Sequence, residues 1–453
     1  MSPAEHPDAE AALERFRELL RIPTISRADP AERDEAAFDA FAEAVERLYP
    51  RVHAGLEREF VDGRTFLFRW PGVDAPEASA PASVLMAHYD VVAATDEGWQ
   101  HPPFAAALTG EGADRLLWGR GTLDDKGSVV AVLEAVERRL EAGFRPARDV
   151  YLLFGHDEET AGTGARAAAL LLAERGVPIG LVLDEGGAVV EKVFPTVERP
   201  VAVVGVSEKG ITSFTLTVEQ AGGHASTPPK VTAPDRLARA IVRLSNRPFP
   251  SRLNAPTAAL IRTVGAHGRG PLRAVFTRVD RLGPVLRMLF TRLGPETAAM
   301  VRTTTAVTQL SGSLAANALA ERAQAVLNVR IAIGSSVAAT KRRLERVIAD
   351  PAVVVGVLDA NEPSPVSRMA GPVWQLLAAA VHATYPEAIV TPYVQTGATD
   401  SRHFTPYSRT VYRFSPFEMS GEERATLHAR NERMHVATWF TGIRFFEGLL
   451  GRL

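Results

Sequence analysis

Between residues 10 and 22 the apolar positions Ala12, Leu13, Phe16, Leu19 and Leu20 follow the spacing of one helix face. The pattern stops at Ile22-Pro23, because proline lacks the N–H a helix needs and clashes with the preceding turn. Residues 36–48 read as a second amphipathic helix. Three short apolar runs follow, Val84-Leu85-Met86, Val150-Tyr151-Leu152-Leu153-Phe154 and Leu181-Val182-Leu183, separated by helical patterns at 128–142 and 163–175. Strand alternating with helix predicts a largely parallel sheet covered on both faces. Each run then ends in acids or histidine: His88-Tyr89-Asp90, His156-Asp157-Glu158-Glu159 and Asp184-Glu185. Ligands of open α/β sheets sit beyond the carboxyl ends of the strands, so three strands deliver ligand-type side chains to one rim.

The pattern changes near residue 206. Ile211, Phe214, Leu216 and Val218 mostly alternate, as in a half-buried strand. A helix at 234–246, a strand at 323–333, a helix at 337–349 and a strand at 352–358 follow, and residues 374–383 return to helix. The fold class is therefore α/β, with a mostly parallel-sheet domain at 1–205 and 362–453 interrupted by an α+β sandwich at 206–361. Within the insertion, residues 271–293 interleave Val275, Phe276, Val279, Leu282, Val285, Leu286, Leu289 and Phe290 with Arg273, Arg278, Arg281, Arg287 and Arg292. Such a face can pack on its own domain or a second subunit, lie on a membrane, or cover an apolar substrate.

Length agrees with two domains, since 453 residues exceed what one compact core usually fills. The 51 Lys and Arg nearly balance the 53 Asp and Glu, so the chain as a whole exerts no pull on nucleic acid. Cysteine is absent, which excludes disulfides, a thiol nucleophile and thiolate metal sites; any metal must sit on His, Asp or Glu. The start, MSPAEHPDAEAALERF, lacks the basic segment and apolar run of a secretory signal, and no later stretch is apolar for long enough to span a bilayer. A cytoplasmic protein without a transmembrane segment is expected.

A metal that activates water needs imidazole or carboxylate ligands, an open position and a nearby base. His88 lies two residues from Asp90, a spacing that in a strand places both on one side, where the carboxylate can orient the ring. Gly119-Arg120-Gly121-Thr122-Leu123-Asp124-Asp125-Lys126-Gly127 is a glycine-punctuated loop before a helix. Asp125 or Ser128 can simply cap that helix; Asp124 matters as part of a set, because a carboxylate with two oxygens can bridge two cations. Glu158 and Glu159 crowd two like charges at a sheet rim. Metal binding relieves one, and a proton relay suits the other. Asp184 closes a buried strand, where an unpaired carboxylate is costly. No Gly-x-Ser-x-Gly elbow presents a serine nucleophile.

Taken in order, these segments with Asp184-Glu185-Gly186-Gly187 and Leu427-His428-Ala429-Arg430-Asn431-Glu432 resemble the motif set of a dinuclear-zinc metallopeptidase family. That family contains aminoacylase-1, succinyl-diaminopimelate desuccinylase and carboxypeptidase G. Ser207-Glu208-Lys209-Gly210, Gly223-His224-Ala225-Ser226-Thr227-Pro228-Pro229 and Thr396-Gly397-Ala398-Thr399-Asp400-Ser401-Arg402 resemble its branch of Gly-X carboxypeptidase and N-fatty-acyl-amino-acid synthase/hydrolase.

The resemblance implies a zinc-peptidase catalytic domain with an inserted lid and dimerisation domain. The implied reaction is cleavage of the amide bond of an N-acyl-amino acid or small peptide with a free carboxylate. Two Zn2+ are implied, with Co2+ or Mn2+ able to accept the same ligands: His88 and Asp184 on one, Glu159 and His428 on the other, Asp124 bridging. Glu158 is then the general base and Asp90 orients His88. His224 reaches across a homodimer to polarise the scissile carbonyl, and Asn317 and Arg330 hold the substrate carboxylate. Taken alone, His224 is a loop histidine and Arg330 a surface strand residue. Ala429 stands where family members usually carry Gly. A dipeptidase or aminopeptidase-like activity is the alternative, as is a non-catalytic ligand-binding relative, which has no need of Glu158.

Overall fold

The computed structural model describes residues 8–73, 81–160, 162–191, 194 and 197–453. The strands Ala82–His88, Val150–Gly155 and Ile179–Asp184 are buried almost throughout, as strands covered on both faces must be. They pair in parallel with Ala82–His88 in the middle, and Val411–Arg413 continues the parallel run beyond Ile179–Asp184. The whole sheet has ten strands. Its order is Glu57–Val61, Thr65–Trp70, Val150–Gly155, Ala82–His88, Ile179–Asp184, Val411–Arg413, Val201–Glu208, Ala188–Val190 and Glu418–Met419, with Ile389–Gln395 also paired to Val201–Glu208. Alternation divides its side chains between two layers. Leu85 and Ala87 join the core beneath helices Ala9–Leu20, Lys126–Glu141 and Val436–Leu450, while Val84 and Met86 face helix Thr163–Glu174. This is the mixed α/β arrangement the hydrophobic pattern predicts.

A second sheet of four antiparallel strands runs in the order Thr304–Ser311, Arg322–Ile331, Gly210–Glu219, Val354–Ala360. Phe214, Leu216 and Val218 bury one face of it against Leu237 and Leu244 of helix Ala233–Asn246 and Leu344 of helix Val337–Ile348. Ile211 has the opposite parity and lies on the other face, so Thr212 rather than Ile211 continues the buried row. The strand Val201–Glu208 belongs to the large sheet, and the two sheets therefore meet at Lys209. Its Nζ donates to the carbonyls of Ala299 at 3.1 Å and Arg302 at 2.9 Å.

The helices between Ala255 and Val301 fall inside the span 206–361, but the first of them packs on the large sheet and the others pack on that helix and on one another. Helix Ala255–His267 lies against Ile389–Gln395, and its Leu260 and Val264 enter the core of that sheet. On its other side Ile261 gathers Val279, Leu286, Phe290 and Val301. The amphipathic stretch at 271–293 thus spends its buried face on this chain's own helices, leaving Val285 and Met288 exposed. Among the described residues no helix is long and apolar enough to cross a membrane.

Candidate metal centre

The register of the parallel strands sets Leu85 beside Leu183 and His88 beside Gly155. His88, Asp184 and the turn 156–159 consequently share one edge of the sheet. Buried His88 turns Nδ1 to the carbonyl oxygen of Asp90 at 3.0 Å, with Asp90 Oδ1 3.3 Å away, and so presents Nε2 outward. Asp124 Oδ1 lies 3.0 Å from His88 Nε2, and its Oδ2 lies 2.9 Å from His428 Nε2. His428 Nε2 is also 3.2 Å from Glu159 Oε2. One carboxylate therefore touches two imidazoles through different oxygens, the geometry a bridging ligand needs. Asp184 accepts the N–H of Ser401 at 2.7 Å and of its neighbour Glu185 at 3.0 Å.

Local structure explains how these side chains are aimed. The Asp124-Asp125 peptide is cis, and the loop closes onto its helix so tightly that a Cβ on Gly127 would meet the Thr122 carbonyl oxygen at 2.2 Å. Helix Lys126–Glu141 begins without a side-chain cap. Asp125 instead accepts the Ser128 hydroxyl at 2.5 Å, so the capping alternative for Asp125 is not what the loop adopts. Asp90 does more than face His88: its two oxygens accept the N–H groups of Glu158 at 3.2 Å and Glu159 at 3.1 Å. Asp157 accepts the N–H groups of Thr163 and Gly164 and so starts the following helix. In the last loop His428 and Asn431 have positive φ, 56° and 64°, and Ala429 does not. Glycine is not required at 429.

Burial opposes a proton on His88, yet hydrogen bonds to Asp124 and Asp90 outweigh it and raise the ring well above the usual range. Hydrogen bonds to Asp124 and Glu159 push His428 up to about 10. Burial raises Asp124, but the bonds from His428 and His88 dominate and hold it below an ordinary carboxylate. Glu158 is held well above its ordinary value by burial first, with His88 opposing and the charges of Asp400, Glu159 and Asp90 adding to it. A divalent cation at either ring would compete with its proton. Glu159 Oε1 is buried without a hydrogen-bond partner, and donor atoms of His88, Asp124 and Glu159 lie within 4.8 Å of one another. Nitrogen and carboxylate donors so arranged fit a divalent metal.

Two acids at the centre were not singled out in the motifs. Glu185 is half-buried and held well up by burial and by Asp124, Asp125, Glu158 and Asp184. Asp400 is buried with neither oxygen hydrogen-bonded. The segments containing both are recognisable in the sequence, but only the fold brings them to the same rim.

His224, Asn317 and Arg330 are not gathered there within one chain. His224 is exposed with Nδ1 2.7 Å from Ser226 Oγ, and exposed Asn317 accepts the Ala225 N–H at 3.0 Å. Both lie beyond one end of the small sheet. Arg330 pairs with Ile211 at the other end, beside Lys209. Between Arg322 and Arg330 a strand covers about 26 Å at roughly 3.3 Å per residue. The half-buried guanidinium of Arg330 donates to Asn328 at 3.2 Å and pairs with no carboxylate among the described residues; burial alone lowers its pKa.

The sequence pattern of peptidase family M20/M25/M40 matches residues 84–452. The chain belongs to this family. It is 34% identical over 448 residues to the N-fatty-acyl-amino acid synthase/hydrolase PM20D1 of Homo sapiens, covering 97% of this chain and 87% of that one. Carboxypeptidase S of Saccharomyces cerevisiae is 29% identical, with 96% and 83% covered. An M20 family metallo-carboxypeptidase from Sulfolobus solfataricus shares the fold with a TM-score of 0.69 at 18% identity, covering 97% of this chain and 98% of that one. Human carnosine dipeptidase 1 does so at 0.66 and 14%, with 98% and 96% covered. As an M20 member the chain is a metal-dependent amide-bond hydrolase, and the mixed α/β expectation is borne out.

Proposed function

We propose that this M20 chain hydrolyses N-acyl-amino acids, with two zinc ions held by His88, Asp124, Glu159, Asp184 and His428. The observation that carries the reading is Asp124, whose two oxygens each reach a different histidine. Bound there, a pair of divalent cations supplies Lewis-acid polarisation of the carbonyl and acidifies the attacking water. Glu158, next to Glu159 in the turn at the same rim, takes the proton of that water and returns it to the departing nitrogen. Asp90 keeps Glu158 aimed by holding the backbone of the turn. Arg330, a half-buried cation without a carboxylate, takes the free carboxylate of the substrate. The likeness along nearly the whole chain to an N-fatty-acyl-amino acid synthase/hydrolase supports an acyl-amino acid as that substrate.

His224 and Arg330 lie too far apart on one small sheet to touch the same small molecule. We therefore assign His224 and Asn317 to the site of a second copy, in a homodimer formed through the small sheet, with His224 stabilising the developing oxyanion. A second reading is cleavage of dipeptides with a free amine, for which half-buried Glu185 at the rim is the candidate partner of the ammonium group; burial and the neighbouring acids favour its neutral form until such a cation is present.

The test is a panel of N-acyl-amino acids of short and long chain beside free-amine dipeptides. Faster cleavage of acyl-amino acids supports the first reading, faster cleavage of dipeptides the second. Metal-loaded protein that cleaves neither contradicts both.

A further inference from the structure

The two loops that carry Asp124 and His428 come from opposite ends of the chain, and a single buried carboxylate joins them. Glu432 is wholly buried. Its Oε1 accepts the N–H groups of Leu123 at 2.7 Å, Gly121 at 3.1 Å and Asp124 at 3.2 Å. Its Oε2 accepts Arg120 Nη1 at 2.6 Å and lies 3.1 Å from the same Gly121 nitrogen. The second arm of Arg120 donates to the carbonyl of Ala429 at 2.9 Å, and the Gly119 N–H donates to the Glu432 carbonyl at 3.0 Å. Arg120 and Glu432 thereby stitch residues 119–124 to residues 429–432.

We propose that Glu432, with Arg120 as its counter-charge, is a positioning residue that fixes Asp124 against His428 and so sets the affinity for the second of two bound cations. The inference rests on reading Asp124 and His428 as ligands. Its physical basis is that one of the groups bonded to Glu432 is the backbone N–H of the bridging residue itself, while Glu432 lies four residues past His428. A buried charge with this many donors is strongly committed to one geometry, because any shift leaves a donor unpaired at low dielectric. The His428 loop, with positive φ at His428 and Asn431, has no regular secondary structure to hold it in place. An amide at 432 turns one acceptor oxygen into an NH2 donor facing Arg120 or the loop N–H groups, which separates the loops without touching a ligand.

The test is zinc binding against a competing chelator, with zinc counted per chain, in wild type, Glu432→Gln and Glu137→Gln. Glu137 is a buried carboxylate that accepts the N–H groups of Arg51 and Val52 away from the centre, and it controls for lost stability alone. The expected result is two zinc ions in wild type and in Glu137→Gln. In Glu432→Gln the second is weakened by about 10–100-fold, the usual cost of losing a group that orients ligands. Arg120→Lys, which keeps the charge but not the two-armed bond, covers the case in which Glu432→Gln does not fold, and should show the same selective weakening. Wild-type affinity for both ions in either folded variant overturns the proposal. A wild type that holds no zinc overturns the ligand reading and this inference with it.

Discussion

Asp90 accepts the N–H groups of Glu158 and Glu159 with its two oxygens, so one residue sets both an imidazole and the turn bearing the proposed base and a proposed ligand. Among the described residues the ion pairs of His88 and His428 go to Asp90, Asp124 and Glu159 and not to Glu158, so removal of Glu158 should leave metal binding in place. Glu158→Gln is expected to lower turnover by roughly 10²–10⁴-fold, with metal content and thermal unfolding as in wild type. Residual turnover near wild type would remove it from proton transfer. The histidines make a second prediction. Both hold their protons more tightly than free imidazole without metal, so cation binding at pH 7 must release them. Calorimetry in buffers of different ionisation enthalpy should report proton release, and zinc affinity should fall as pH is lowered, because protons compete for the same nitrogens. His88, Glu159 and Asp184 are legible in sequence because they stand abruptly at the ends of apolar runs, whereas Asp124 gains weight only as part of the set and His428 only through the resemblance. The place of Asp90 beside His88 is also legible from their spacing, but its hold on the turn at 158–159 and the work of Asp400 and Glu432 are not, since these act through backbone or charge contacts that exist only after folding.

At the level of elements, the buried strands and the amphipathic helices are read from periodicity to within a few residues. The runs at 84–86, 150–154 and 181–183 sit inside Ala82–His88, Val150–Gly155 and Ile179–Asp184. The helices between 255 and 301 show the limit of that reading. A stripe of apolar positions says that a helix packs but not on what, and chain order points to the small sheet, whereas Ala255–His267 packs on Ile389–Gln395 and the later helices pack on Ala255–His267 and one another. Glycine at 127 is an element-scale constraint: an added methyl group meets the backbone oxygen of Thr122, which cannot rotate away. Gly127→Ala should therefore cost about 1–3 kcal/mol in unfolding free energy, and should reduce metal content because the loop it displaces carries Asp124. Unchanged stability and unchanged metal content would show that the loop tolerates a Cβ.

For the whole molecule, the separation of His224 and Arg330 along the small sheet makes the number of chains a functional question. If the partner subunit supplies His224, a His224→Ala chain and a Glu158→Gln chain are each inactive but complementary. Mixing them under conditions of subunit exchange should restore turnover, since one site of the mixed dimer then has both groups; verified exchange without recovery contradicts the assignment. The proposed hydrolysis needs metals at His88, Glu159 and Asp184 from the rim of the large sheet, Asp124 from the loop before helix Lys126–Glu141, and His428 from the last loop. The most direct measurement is to strip the protein with a chelator, remove the chelator, and add zinc in steps while recording hydrolysis and metal bound per chain. No turnover is expected in the stripped protein and full recovery on binding two equivalents; turnover that survives complete removal of metal, or is complete with one equivalent, contradicts a two-metal centre at these residues.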